Sequence, residues 1–220
     1  MNVRKRFAIF TITSAVLGGL VLAGANPAQA ALSCGGKKPT IVGTAGNDDL
    51  IGTSKADVIV ALGGDDYIEG NGGDDIICAG AGSDTIYPLA GNDKVWGDSG
   101  DDYIMPEGGG NDEYHGGAGA DYLFGGNGTD KLYGDSGVDY ILGGSGNDKI
   151  YGGNGADLLA GESGNDYLSG GASGDTLWGD AGNDTLYGNS GNDWLAGNSG
   201  TDKLSGGTGK NHVYQGNFPS

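Results

Sequence analysis

Eighteen aspartates stand in one register along the chain: Asp48, Asp57, Asp66, Asp75, Asp84, Asp93, Asp102, Asp112, Asp121, Asp130, Asp139, Asp148, Asp157, Asp166, Asp175, Asp184, Asp193 and Asp202. Each follows the last by nine residues, except for a step of ten between Asp102 and Asp112. Acid–base catalysis needs one differentiated pair of carboxyls, whereas these positions repeat as equivalents. Equivalent carboxylates stacked in neighbouring turns repel one another. The chemistry that relieves this is a hard divalent cation held by oxygen.

The aspartates belong to a repeat. From Gly116 to Ser205, ten consecutive units read G-[GDEN]-x-G-x-D-x-[LI]-x, with Ser173 replacing the second glycine once. Aspartate is the sixth position, and the eighth is aliphatic: Leu123, Leu132, Ile141, Ile150, Leu159, Leu168, Leu177, Leu186, Leu195 and Leu204. Units run from Gly43 to Tyr214, nineteen in all, if Pro106 to His115 is one unit carrying an inserted residue. The early ones are less regular, with Lys55 for a glycine and Ala61, Ala79 and Pro88 at the first position, and the last unit has Asn211 for the aspartate.

A nine-residue period is too short for a helix with its connection, and fifty glycines disfavour helices throughout. Positions seven to nine, one inward aliphatic between two outward residues, predict a minimal strand of period two. The six residues before it predict a turn, with glycines at positions one, two and four permitting positive φ. A turn after every strand makes two units one coil, so unit n stacks on unit n+2. The fold class predicted is all-β: a parallel β-roll, a right-handed β-solenoid of about nineteen units, roughly 45 Å long at 4.8 Å per coil.

Carbonyls exposed at such turns, together with carboxylates, form the oxygen set that calcium takes with six to eight ligands; magnesium rarely accepts a flexible all-protein cage. The pattern resembles the nonapeptide repeat of the RTX family. That resemblance implies a calcium-binding β-roll in which the aspartate and backbone carbonyls hold each ion between turns n and n+2. All eighteen aspartates are therefore candidate ligands. Charge argues against full occupancy, most of all around Lys55 and the Pro106 to His115 insertion: seventeen gaps filled with divalent ions would carry +34. Without metal the narrow aliphatic column does not offset the entropy of ordering the chain, so binding is expected to be the folding step.

Residues 1–30 read as a secretory signal peptide: basic Arg4, Lys5 and Arg6, an apolar stretch from Phe7 to Gly24, and the small-residue cleavage site Ala28-Gln29-Ala30. A membrane anchor fits less well because Thr, Ser and Gly interrupt the run, and Leu32-Ser33 before Cys34 is a poor lipoprotein signal. Residues 31–42 form a lead segment, 43–214 the roll and 215–220 a tail. Removing the three basic residues moves the formal net charge from -18 to -21, which excludes a nucleic-acid partner held through phosphates. The expected location is extracellular, or periplasmic if the source has an outer membrane and no further export. Two cysteines, Cys34 and Cys78, can form a bridge in an oxidising compartment or remain free thiols.

Sorting the outward positions by alternate units gives an apolar face with Tyr67, Tyr103, Tyr122, Phe124, Tyr140, Trp178 and Trp194. The opposite face mixes lysines with Trp96, His115, Tyr133, Tyr151, Tyr167 and Tyr187. The rings either stack as ladders along their sheets or dock a second copy, a glycan or a wall polymer, which would make the protein a calcium-dependent adhesin or matrix protein. No hydrolase, metalloprotease or EF-hand motif occurs, and regular threonines for an ice-binding edge are absent. The expectation is a non-catalytic protein.

Overall fold

The computed structural model describes residues 33–217. The expected signal peptide and its cleavage site, and residues 218–220 of the tail, lie outside the described residues. Among those described there is no helix; twenty short strands alternate between two sheets. Sheet A runs from Ile41–Val42 to Lys203–Ser205 and sheet B from Asp49–Ile51 to His212–Tyr214, each ten-stranded and parallel, with every strand beside the one two elements away.

The register is that of the repeat. Lys131, Leu132 and Tyr133 pair with Lys149, Ile150 and Tyr151, eighteen residues on. The one insertion shifts this step to nineteen, so that Lys94 faces Glu113 and Tyr103 faces Tyr122. Pro106 and Glu107 take up the extra residue between Met105 and Gly108. The pairing returns to eighteen at once, because a one-residue slip carried further would turn every inward side chain outward.

Inward side chains from both sheets form one column, from Ile59 through Ile77, Leu132 and Leu159 to Leu195, all fully buried. Tyr114 occupies the inward position of the irregular unit and is also fully buried. The column is one residue wide.

Two boundaries differ from the expectation. Pairing in many strands extends past the three predicted residues through positions one to three of the next unit, as in Lys131–Ser136. The ladder continues because position two adopts a left-handed conformation and keeps the chain in register, so the turn proper is positions four to six. The roll also starts earlier: Ile41 and Val42 pair with Ile59 and Val60. Ile41 packs against the core column, since it lies eighteen residues before Ile59 and faces inward.

The rest of the lead lies over the outer face of sheet A. Cys34 and Cys78 are joined by a disulfide with Cα atoms 5.9 Å apart. Cys34 is buried with Val58, Val60 and Ile76, and Trp96 packs beside them. These outward residues would otherwise be exposed apolar surface at the first coils.

Candidate metal centre

The turn ending at Asp139 shows how the regular units are built. Its backbone N–H donates to Asp157 Oδ1 of the following coil at 2.9 Å, and its own Oδ1 accepts from Asp121 N–H at 2.9 Å. The Asp139 carbonyl accepts from Leu158 N–H, and Gly137 N–H donates to the Asn154 carbonyl, both at 2.8 Å. Each aspartate thus stitches three successive coils. On one edge the fifth position adds an asparagine ladder, Asn147 to Asn165 to Asn183, whose Oδ1 atoms accept the next backbone N–H at 2.8 Å.

The other carboxylate oxygen has no such role. In fifteen of the eighteen aspartates, Asp66 to Asp102 and Asp121 to Asp202 in the register, Oδ2 is buried without a hydrogen-bond partner. Leaving a buried carboxylate oxygen unpaired costs several times what a hydrogen bond returns. The orphan recurs through two runs of the roll, at the position that a ligand could satisfy.

What surrounds the oxygen identifies the ligand class. A Cβ placed on Gly134 would stand 2.3 Å from Asp139 Oδ2 and 2.6 Å from the Gly152 carbonyl oxygen. The glycine at position one therefore keeps open a space on which a carboxylate oxygen and a neighbouring coil's carbonyl converge. Gly97 does the same for Asp102 and Gly116, and Gly152 for Asp157 and Gly170. Ala61, Ala79 and Pro88 carry a side chain there, yet Asp66, Asp84 and Asp93 keep unpartnered Oδ2 atoms. Among the described residues no group of three or more histidines, cysteines or acids could hold a metal, so a cation would draw on at most two carboxylates and on backbone carbonyls. This is a hard-oxygen set.

Burial shifts the carboxyls accordingly. Removal from water pushes Asp75, Asp84, Asp121 and Asp184 up to about 6 and Asp93, Asp130, Asp139, Asp166 and Asp175 up to about 7. Asp102 is pushed up to about 8, again by burial, with the charges of Asp121 and Asp84 adding to it. Asp66, Asp112, Asp148 and Asp157 also rise through burial. Asp57 goes the other way: burial pushes it up, but hydrogen bonds from the Thr53 backbone and hydroxyl and from Thr40 outweigh that and hold it low. At the last unit Asn211 replaces the aspartate, and its Oδ1 still accepts from Asp193 N–H at 2.8 Å.

Comparison with known families agrees with this geometry. The family model of the RTX calcium-binding nonapeptide repeat matches in overlapping copies from residue 40 to residue 213. The chain belongs to the RTX calcium-binding nonapeptide repeat family. It is a calcium-binding repeat protein with the parallel β-roll fold. No curated protein matches the chain. For an RTX roll, the cradle at position one and the orphaned Oδ2 fit calcium, and the aspartates with the carbonyls beside them are the residues that would hold it.

The fourth position is the tightest part of an RTX turn. A Cβ on Gly137 would stand 1.5 Å from the Gly119 carbonyl oxygen, and its φ of +141° is one that side-chain-bearing residues rarely adopt. The conformation alone costs about 1–3 kcal/mol for another residue, and the clash with fixed backbone adds to it. Gly137→Val is expected to lower the thermal midpoint of the calcium-loaded protein by several degrees or to prevent folding. Val138→Ala, at the adjacent exposed position, is expected to leave the midpoint nearly unchanged. Equal midpoints for the two variants would show that the close approach of coils at position four is unimportant.

Outside the turns the rings form ladders. On sheet A, Trp96, His115, Tyr133 and Tyr151 stack with centroids 5.7, 4.4 and 5.0 Å apart, and Tyr167 and Tyr187 continue the row. On sheet B, Tyr67 meets Tyr87, and Tyr103, Tyr122, Phe124 and Tyr140 form a tilted cluster. Trp194 stacks on His212 at 4.1 Å. Tyr114 and its hydroxyl, at 2.9 Å from Asp112 Oδ2, were not among the candidate site residues. The available signal was its place two residues after Asp112, where every neighbouring unit has an aliphatic.

Proposed function

We propose that this is an exported, non-catalytic protein whose roll folds when calcium enters the Gly- and Asp-rich turns. The observation that carries the reading is the recurrence of a buried, unpartnered Oδ2 atom in fifteen of the register aspartates, from Asp66 to Asp102 and from Asp121 to Asp202. When bound, calcium supplies positive charge and satisfies oxygen lone pairs; Asp139 and its equivalents, with the carbonyls beside them, orient toward it. The backbone N–H, carbonyl and Oδ1 of each such aspartate are already engaged in pairing between coils, which couples an ion at Oδ2 to the stacking of neighbours.

The repeat occupies the chain from Gly43 to Tyr214, and fifteen of its turns repeat one arrangement, which supports binding and structure in place of catalysis. The basic start, apolar run and Ala28-Gln29-Ala30 support export, and the Cys34–Cys78 bridge suits an oxidising, calcium-rich exterior. A periplasmic location follows if the source has an outer membrane and no further export step. Among the described residues no helix is long and apolar enough to cross a membrane.

Equilibrium dialysis against calcium, with elemental analysis of the retained protein, tests the reading. Several calcium ions per chain are expected at millimolar calcium, and an equal concentration of magnesium is expected not to displace them. A chain that retains no calcium would overturn it.

A further inference from the structure

Three turns differ from all the others in the same respect. In the first, Thr44 donates to Asp48 Oδ2 through its backbone N–H at 2.6 Å and its hydroxyl at 2.9 Å. In the second, Thr53 donates to Asp57 Oδ2 in the same two ways, at 2.7 and 2.8 Å. In the irregular unit the Tyr114 hydroxyl donates to Asp112 Oδ2 at 2.9 Å, inside the core. These are the three register aspartates missing from the fifteen with an unpartnered Oδ2.

The backbone makes the same division independently. In every regular turn from Leu62 to Gly207 the second position is left-handed, whether it is glycine or a residue with a side chain such as Asn71, Asp135 or Glu162. The exceptions are Thr44, Thr53 and Gly108, the second positions of those three turns. In the two threonine turns the fourth positions, Gly46 and Lys55, are not left-handed either. A β-branched residue resists the left-handed region, so threonine at position two selects another turn, in which its own N–H and hydroxyl reach the carboxylate. Tyrosine at position eight replaces an aliphatic that cannot donate.

We propose that Thr44, Thr53 and Tyr114 close their turns to calcium by supplying the hydrogen bonds that Asp48, Asp57 and Asp112 would otherwise seek from an ion. The calcium array is then two blocks, Asp66 to Asp102 and Asp121 to Asp202, preceded by two metal-independent turns and separated by one. The disulfide-tied lead lies over the first coils, where the metal-free turns are. This inference rests on the calcium-binding reading above and refines which aspartates serve it.

The test is the calcium count per full chain, by the same dialysis and by native mass spectrometry. Thr44→Gly with Thr53→Gly restores the regular turn, and each converted turn is expected to gain an ion. Tyr114→Leu is expected to gain one. Asp135→Thr, at an exposed left-handed position, is expected to impose the closed turn on Asp139 and lose one, and it keeps the test decisive if the other variants fail to fold. Wild-type protein that binds no calcium would defeat the calcium reading itself. Wild-type protein that binds calcium, with folded variants that bind the same number, would overturn the closure of these turns alone.

Discussion

In chelator at neutral pH the chain from residue 31 onward is expected to give the far-ultraviolet circular dichroism of a coil, and millimolar calcium is expected to restore a β spectrum. Magnesium at equal ionic strength is expected to leave the coil. The reason lies in the one-residue-wide core: Leu132, Ile150 and their equivalents are fully buried, but each coil contributes only two such side chains. Against that burial stand the entropy of ordering a Gly-rich chain and fifteen buried oxygens without partners. On the proposed reading calcium would remove the second cost, and a ligand of the stacked form alone would shift the equilibrium by mass action. A β spectrum already complete in chelator would show that packing and the backbone ladder carry the roll unaided.

Acid is expected to substitute in part for calcium. Burial raises Asp139 to about 7 and Asp102 to about 8 in the roll, from the value of 3.8 in an unperturbed carboxyl. A carboxyl whose folded pKa is raised binds protons more tightly in the fold than in the coil. Its contribution to stability is fully present below the unfolded value and is lost as pH rises through the folded one. In chelator, β structure is therefore expected to grow as the pH falls from about 8 to about 5, each tenfold difference in proton affinity between fold and coil being worth ~1.4 kcal/mol per carboxyl. With calcium present the opposite dependence holds for binding: protons compete for Oδ2, so the midpoint calcium concentration is expected to rise as the pH drops below about 7. A chelated protein that remains a coil down to pH 5, followed by circular dichroism, would show that carboxylate charge is not what keeps the coils apart.

Much of this is legible in the sequence. The period of nine, the aliphatic eighth position and the glycines determined a two-sheet parallel roll with units stacking eighteen residues apart. They could do so because a solenoid repeats one local solution, and contacts between neighbours follow from sequence spacing alone. The aspartate column and its hard-oxygen chemistry followed for the same reason, as did the irregularity of the turns holding Lys55 and the Pro106 to His115 insertion.

Three things were decided only by the tertiary structure. Of the two states open to the cysteines, it shows the bridge; Cys34 and Cys78 are 44 residues apart and meet because the lead folds back over sheet A. The division of each carboxylate into a bonded Oδ1 and an orphaned Oδ2 depends on where the next coil's N–H falls, which no linear pattern records. Gly43-Thr-Ala-Gly-Asn-Asp48 keeps both glycines and the aspartate of the repeat and departs from it only at position two, yet there Thr44 turns its backbone away from the left-handed region and takes the carboxylate for itself. One residue's preferred φ and one hydroxyl proton separate that turn from its neighbours; the sequence shows the substitution, but only the folded turn shows that it reaches the carboxylate.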